Sequence, residues 1–396
     1  MQRQAIPTAI EGKDLIAIAQ TGTGKTIAFG IPMIQRLAVC RGRGLIVVPT
    51  RELAYQVDSA IRTICRAHKM QTAIVIGGAS FNLQCTALKK NPRIIIATPG
   101  RLLDHLKRRT VNLSDIEIFV LDEADRMLDM GFAPDINRIM STLTRKHQTM
   151  LFSATMPQEI LAIARKHMDA PVYIEVARSG TAPEEISHEL FFVDNRDKTR
   201  LLEIQLQKCT GSALVFTRTK HGASKLACRI KAMGHSVAEI HSNRSLNQRF
   251  SALDGFKAGN YRVLVATDIA ARGIDVVNIA LVINYDLPST SEDYVHRIGR
   301  TGRAGRNGHA ISFATFDQER DIRGIENLLK TFLPVSHLPF TPSPRSVPNI
   351  INTGRRLPRS RADEPLQAPS LSNRPDITQT FGRRRVKIEG RKMRRR

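Results

Sequence analysis

A strand-like run, Leu15 to Ala19, leads straight into AQTGTGKT (residues 19–26) and then into a helix that opens near Thr26. No other stretch constrains the fold as strongly. This is the phosphate-binding loop in the strand–turn–helix setting it requires. Gly22 and Gly24 let the backbone bend so that successive N–H groups face phosphate oxygens. Lys25 then meets the terminal phosphates, and the Thr26 hydroxyl is placed to ligate magnesium. The strict GxxxxGK[ST] spelling asks for glycine where Ala19 stands.

The rest of the first 330 or so residues keeps the same grammar. Short Val- and Ile-rich runs alternate with amphipathic stretches of helical length, the pattern of parallel sheets covered by helices on both faces. The strand candidates of the first half are Leu15–Ala19, Leu45–Val48, Ala73–Ile76, Ile94–Ala97, Ile118–Leu121, Met150–Ser153 and Val172–Val176. Those of the second half are Glu189–Val193, Ala213–Phe216, Val237–Ile240, Val263–Ala266, Leu281–Asn284 and Ala310–Phe313. Polar ARSGTAPEE (177–185) interrupts the alternation and reads as a linker. The expected layout is an α/β domain at 1–176, the linker 177–185, a second α/β domain at 186–333 and a disordered basic tail at 334–396. The tail is rich in Pro, Ser and Arg, has no periodicity and cannot bury enough apolar surface to order itself.

Charge points to the partner. The chain has 60 Lys+Arg against 36 Asp+Glu, a formal +24, and nearly half of that excess falls in the last 56 residues. An imbalance of this size suits a polyanion, most often nucleic acid. With no Trp and five Tyr there is little material for base stacking, so contacts should fall mainly on phosphate and sugar and be weakly sequence-selective. Five widely spaced cysteines make no disulfide or zinc framework and suit a reducing compartment. No run is long and apolar enough to span a membrane, and a cytoplasmic location with no membrane partner is expected.

A nucleotide site of this kind needs carboxylates near its metal, and IFVLDEAD (118–125) supplies them just past a buried strand. Asp122 is placed to hold the magnesium shell and Glu123 to orient and deprotonate the attacking water. In the second domain HRIGRTGRAGR (296–306) sets Arg297, Arg300 and Arg303 three residues apart. Such a cluster either faces RNA or, if the domains close, delivers an arginine to the γ-phosphate.

Taken in order, the motifs AQTGTGKT, PTREL (49–53), GG (77–78), TPGR (98–101), DEAD (122–125), SAT (153–155), LVFTRT (214–219), ATDIAARGID (266–275) and HRIGRTGR (296–303) resemble those of DEAD-box ATP-dependent RNA helicases, most closely the bacterial RhlE-type group. The resemblance spans roughly residues 1–333 and implies two tandem RecA-like (P-loop) domains, ATP and Mg2+ as cofactors and RNA as partner. It places Gln2, Ala19, Gln20, Thr21, Gly22, Thr23, Gly24, Lys25, Thr26 and Asp275 around the nucleotide, with Gln2 on adenine and Asp275 toward the ribose. Catalysis would fall to Lys25, Asp122, Glu123, Arg300 and Arg303, the metal to Thr26 and Asp122. Asp125 would bond toward Ser153 and Thr155, coupling the ATP cleft to RNA held by Arg51, Gly78, Thr98, Arg101, Arg249 and Thr267.

Two departures stand out. The sequence opens at Met1, immediately before Gln2, so the upstream part of the adenine motif is not in it; this implies either a misassigned start or weakened adenine selectivity. Leu246 occupies the place of the family's Gln in Gln-x-x-Arg, with Arg249 at the end of that motif. The expected activity is RNA-stimulated ATP hydrolysis driving local, non-processive separation of short duplexes or remodelling of RNA–protein complexes, in ribosome assembly or RNA turnover, with a ribosomal precursor or an RNA-degradation complex as the setting. A DNA-directed translocase with the same engine and a non-enzymatic RNA chaperone are the alternatives.

Overall fold

The structure, a computed structural model, describes residues 1–19, 23–175, 186–271, 279–302 and 308–341. Among these, all thirteen runs read from the sequence form strands, their ends displaced by at most three residues. In the first lobe they are β1 (Leu15–Ile18), β2 (Arg43–Val47), β3 (Thr72–Val75), β4 (Ile94–Ala97), β5 (Ile116–Asp122), β6 (Gln148–Ser153) and β7 (Val172–Glu175). In the second they are β8 (Ile186–Phe192), β9 (Ala213–Thr217), β10 (Val237–Ile240), β11 (Val263–Thr267), β12 (Leu281–Asn284) and β13 (Gly308–Ala314). The linker 177–185 lies outside the described residues, as does the chain from 342 onward.

Both sheets are wholly parallel, in the orders β3-β4-β2-β5-β6-β1-β7 and β10-β11-β9-β12-β13-β8. Burial on both faces follows the two-residue period of a strand. On β1, Leu15 and Ala17 join one core cluster and Ile16 the other; on β2, Ile46 goes with the first and Leu45 and Val47 with the second.

Parallel register is what gathers distant motifs. Ile18 pairs with Ser153, and Asp122 with Phe152, so the loops after β1, β5 and β6 leave the sheet side by side. Val47 pairs with Ala97, and Val75 also pairs with Ala97, so the loops after β2, β3 and β4 form a second group on the same edge. Ligands of open parallel sheets bind at this carboxyl edge. One half of the first lobe's edge therefore carries the phosphate loop, DEAD and SAT, and the other half carries PTREL, GG and TPGR.

Packing does not stop at Leu333. Val335 bridges to Leu190 in parallel, with Leu190 N donating to Pro334 O and Ser336 N to Leu190 O, both at 2.8 Å. Leu338 and Phe340 pack on the second lobe's core, and the Arg200 guanidinium carbon lies 4.4 Å from the centre of the Phe340 ring. Ordered packing thus continues past 333, with Pro334–Ser336 along β8 and Leu338 and Phe340 on the second lobe's core.

Candidate functional site

The nucleotide half is built around the helix Lys25–Val39, which has no acidic residue in its first turn. Its N-terminus is thus suited to an anion. Gly24 holds φ +81, and a Cβ there would collide with the Gln2 amide, so glycine is what lets Gln2 come against the loop. Lys25 is buried and its Nζ donates to Ala19 O at 3.2 Å. Thr23 and Thr26 are half-buried beside it. Gln20, Thr21 and Gly22 lie outside the described residues.

Asp122 and Glu123 are both buried, but their environments separate them. Burial pushes the Asp122 carboxyl up to about 6, against the pull of Lys25. For Glu123 burial acts in the same direction, yet Arg126, Lys25 and Arg300 together outweigh it and hold the group down at about 2. Arg126 Nη1 donates to Glu123 Oε2 at 3.0 Å. Glu123 also adopts φ +54, a left-handed conformation that costs a side-chain-bearing residue about 1–3 kcal/mol and that surrounding contacts must sustain. Arg126 was not singled out from the sequence. Its signal was present: it directly follows DEAD and stands three residues from Glu123, one helical turn away.

Asp125 makes the bonds its place in DEAD suggests. Its Oδ2 accepts from Ala154 N at 3.0 Å, Thr155 N at 2.8 Å and Thr155 Oγ1 at 3.1 Å, and its own N–H donates to Ser153 Oγ at 3.1 Å. The loops after β5 and β6 are thereby joined.

The second lobe contributes the helix Ser291–Ile298 and the turn beyond it. Arg297 lines the pocket between the lobes with Arg126, His296 and Arg300, and its guanidinium is already partnered. It forms a two-pronged pair with Asp268, at 2.5 and 2.7 Å, lies over the Phe216 ring and donates to Asn284 and to Asp286 O. Arg300 is buried, donates from Nε to His296 O at 3.3 Å, and lines one pocket with Arg126 of the first lobe. His296 lies at the same junction, where burial first and Arg126 second push its pKa down to about 4, so it is neutral. Asp275 and Arg303 lie outside the described residues.

Arg51, Gly78, Thr98 and Arg101 line one groove of roughly 500 Å3 together with Ser242, Arg244 and Arg249 of the second lobe. Gly78 holds φ +75 with the Arg51 guanidinium against it, where any Cβ would intrude. Thr267 is buried at the end of β11 and is not among the residues that line this groove. Arg249, one of the residues lining this groove, is ion-paired across the lobes: its Nη1 lies 2.6 Å from Glu52 Oε1, with both side chains largely buried. Beside this pair Leu246 packs against the first lobe's core, and Phe250 meets Tyr55 edge-on with ring centres 5.0 Å apart. Neither Glu52 nor Tyr55 could be assigned from sequence, because their partners lie some 200 residues away and reach them only through the tertiary fold.

Comparison with known proteins agrees with this layout. Residues 1–163 match the DEAD/DEAH box helicase family and residues 197–305 the helicase conserved C-terminal domain. The DEAD-box ATP-dependent RNA helicase CshA of Bacillus cereus is 43% identical over 339 residues, which is 83% of this chain and 63% of that relative, so the chain spans less than two thirds of its length. A DEAD box protein from Methanococcus jannaschii is 37% identical, with 84% of this chain and 91% of that chain covered at a TM-score of 0.52. The DEAD-box helicase Mss116 bound to ssRNA and UDP-BeF is 28% identical and superposes at a TM-score of 0.79, with 87% and 75% covered. With its two RecA-like lobes and these matches, the chain belongs to the DEAD-box ATP-dependent RNA helicase family.

Proposed function

We propose that the chain is an ATP-dependent RNA helicase in which RNA, by drawing the lobes together, completes the site that hydrolyses ATP. The observation that carries this reading is the pocket that Arg126, three residues from Glu123 on the first lobe, lines together with His296 and Arg300 of the second. Lys25 holds the terminal phosphates at the helix N-terminus, and Gln2 contacts the adenine. Glu123, ionised at any working pH, takes the proton of the attacking water as its oxygen bonds to the γ-phosphorus and the bond to the bridging oxygen breaks. Arg300 meets the charge that gathers on the γ-phosphate, and Arg303 has the same role. The Thr26 hydroxyl and the buried Asp122 carboxylate are hard oxygen donors of the kind Mg2+ prefers, and the bound ion would offset phosphate charge there. Asp125, bonded to the loop after β6, transmits the state of the ATP cleft toward the groove.

Both ligands bridge the lobes, so each raises the affinity for the other. The strand lies against Arg51, Gly78, Thr98 and Arg101 of the first lobe and Arg249 and Thr267 of the second, held by phosphate and sugar, and closure on it separates short duplexes locally or remodels RNA–protein complexes. The test is ATP turnover with and without single-stranded RNA, beside DNA of the same sequence. Many-fold stimulation by RNA is expected, and a rate indifferent to RNA refutes the coupling.

Our reading of the finer identity keeps the RhlE-type likeness, a ribosomal-precursor or RNA-degradation setting and a cytoplasmic location; among the described residues no helix is long and apolar enough to cross a membrane. The basic residues beyond 340 add affinity without selectivity. Ending the chain after Phe340 should weaken RNA binding, and flatten its salt dependence by about 0.7 for each phosphate contact removed, while RNA-free ATP hydrolysis stays as it was. An unaltered salt slope would count against that role.

A further inference from the structure

At the first lobe's end of the groove, the helix Phe81–Lys89 lies beside the helix Pro99–Lys107. Phe81 is stacked on His105, ring centres 4.2 Å apart and planes 9° from parallel. His105 is fully buried and fixed at both nitrogens, Nε2 to Gln84 Oε1 at 3.2 Å and Nδ1 to Thr110 Oγ1 at 2.8 Å, while Gln84 Nε2 donates to Ile76 O at 2.9 Å. The ring of Phe81 thus rests on an immobile base.

Two guanidinium groups use that ring. The Arg108 carbon lies 4.6 Å from its centre and the Arg101 carbon 5.8 Å. Arg101, a groove residue, is further tied by Nη1 to Ala79 O at 3.0 Å, next to Gly78. Arg108 is exposed, within the run Lys107-Arg108-Arg109, and Lys89 and Lys90 are exposed at the end of the companion helix. The acid on this face is Asp104, exposed and 3.8 Å from Arg101. Cation density on such a surface is commonly only solvated charge. Here, however, an exposed arginine that should sample many rotamers is held against an aromatic ring by a cation–π contact. A guanidinium lying over a ring keeps its N–H edge directed outward, the geometry that grips a phosphate with two hydrogen bonds.

We propose that the strand-binding track continues past the groove onto the first lobe, with Arg101 and then Arg108 each taking a backbone phosphate of single-stranded RNA and Phe81 holding the second guanidinium in place. Phe81 is a positioning residue here, since His105 covers one side of its ring and arginine lies over it as well. The inference rests on the helicase reading and extends its substrate contacts beyond the interlobe groove.

The test uses the full chain with a non-hydrolysable ATP analogue and two labelled RNA strands, one that fills only the groove and one twice as long. Binding is titrated across a salt series. Arg108→Ala should weaken the long strand about fivefold at 0.1 M salt and lower its salt slope by about 0.7, leaving the short strand unchanged. Phe81→Leu, which keeps both charges, should weaken the long strand by about two- to fivefold through loss of the platform, again with the short strand unaffected. If Arg108→Ala weakens both strands alike, or neither, the track ends at the groove and the stack is only surface packing. Failure of the unaltered chain to bind either strand would instead sink the helicase reading itself.

Discussion

Glu123→Gln should lower ATP turnover by about a thousandfold while nucleotide binding stays within a few-fold of the unaltered chain. The substitution keeps the volume and an oxygen that can accept from Arg126, so the junction holds together; what goes is the ability to take a proton, a function worth on the order of 10²–10⁴ in rate. Glu123 suits the role by position more than by basicity. Held down at about 2, it is a weak base, and its environment ensures that it is ionised whenever ATP binds. Steady-state hydrolysis with saturating RNA, read beside binding of a fluorescent nucleotide, separates the two effects. A fall in turnover of less than tenfold would assign proton removal to another group.

The second large effect is expected at the Glu52–Arg249 pair. Breaking a buried ion pair from one side leaves a charge without its partner, at a cost of about 3–5 kcal/mol. Here that cost falls on lobe closure, because the two residues belong to different lobes and are 6% and 12% exposed. Arg249→Glu or Glu52→Arg alone should therefore weaken RNA binding by roughly a hundredfold, with ATP still held by the first lobe. Exchanging both charges in one chain should restore most of that loss. This result discriminates between the interlobe tie and the direct RNA contact read from the sequence: if Arg249 held RNA, the exchanged chain would remain as weak as Arg249→Glu. Leu246 and the Tyr55–Phe250 contact should preserve partial closure in either single variant, since an aromatic pair adds about 0.5–1.5 kcal/mol beyond its buried area.

The sequence was most informative where the chemistry is periodic or local. Thirteen apolar runs marked thirteen strands: those in the middle of each sheet are buried on both faces and can hardly be spelled otherwise, while edge strands such as β3 and β10 keep a two-residue alternation. The nucleotide half was legible for a related reason: each motif ends a strand, and parallel pairing brings strand ends together. What could not be read were partnerships set by the meeting of surfaces. Glu52 opposite Arg249, and Asp268 against both prongs of Arg297, come from distant parts of the chain and meet them only in the fold. Residues 334–340 were misjudged for another reason. Pro334–Ser336 hold β8 by backbone N–H and C=O groups, which leave no trace in side-chain patterning, and Leu338 and Phe340 add only two isolated apolar contacts.

That hold bears on how the protein can be handled. β8 is the outermost strand of its sheet, and the segment around Val335 satisfies the Leu190 N–H and C=O. A version shortened at Leu333 would leave these groups bare, offering other copies a template for strand-by-strand accretion. Such a version would precipitate for reasons unrelated to RNA. A cut placed after Phe340 keeps that border sealed and leaves both lobes intact, so that the contribution of the basic extension can be measured by itself.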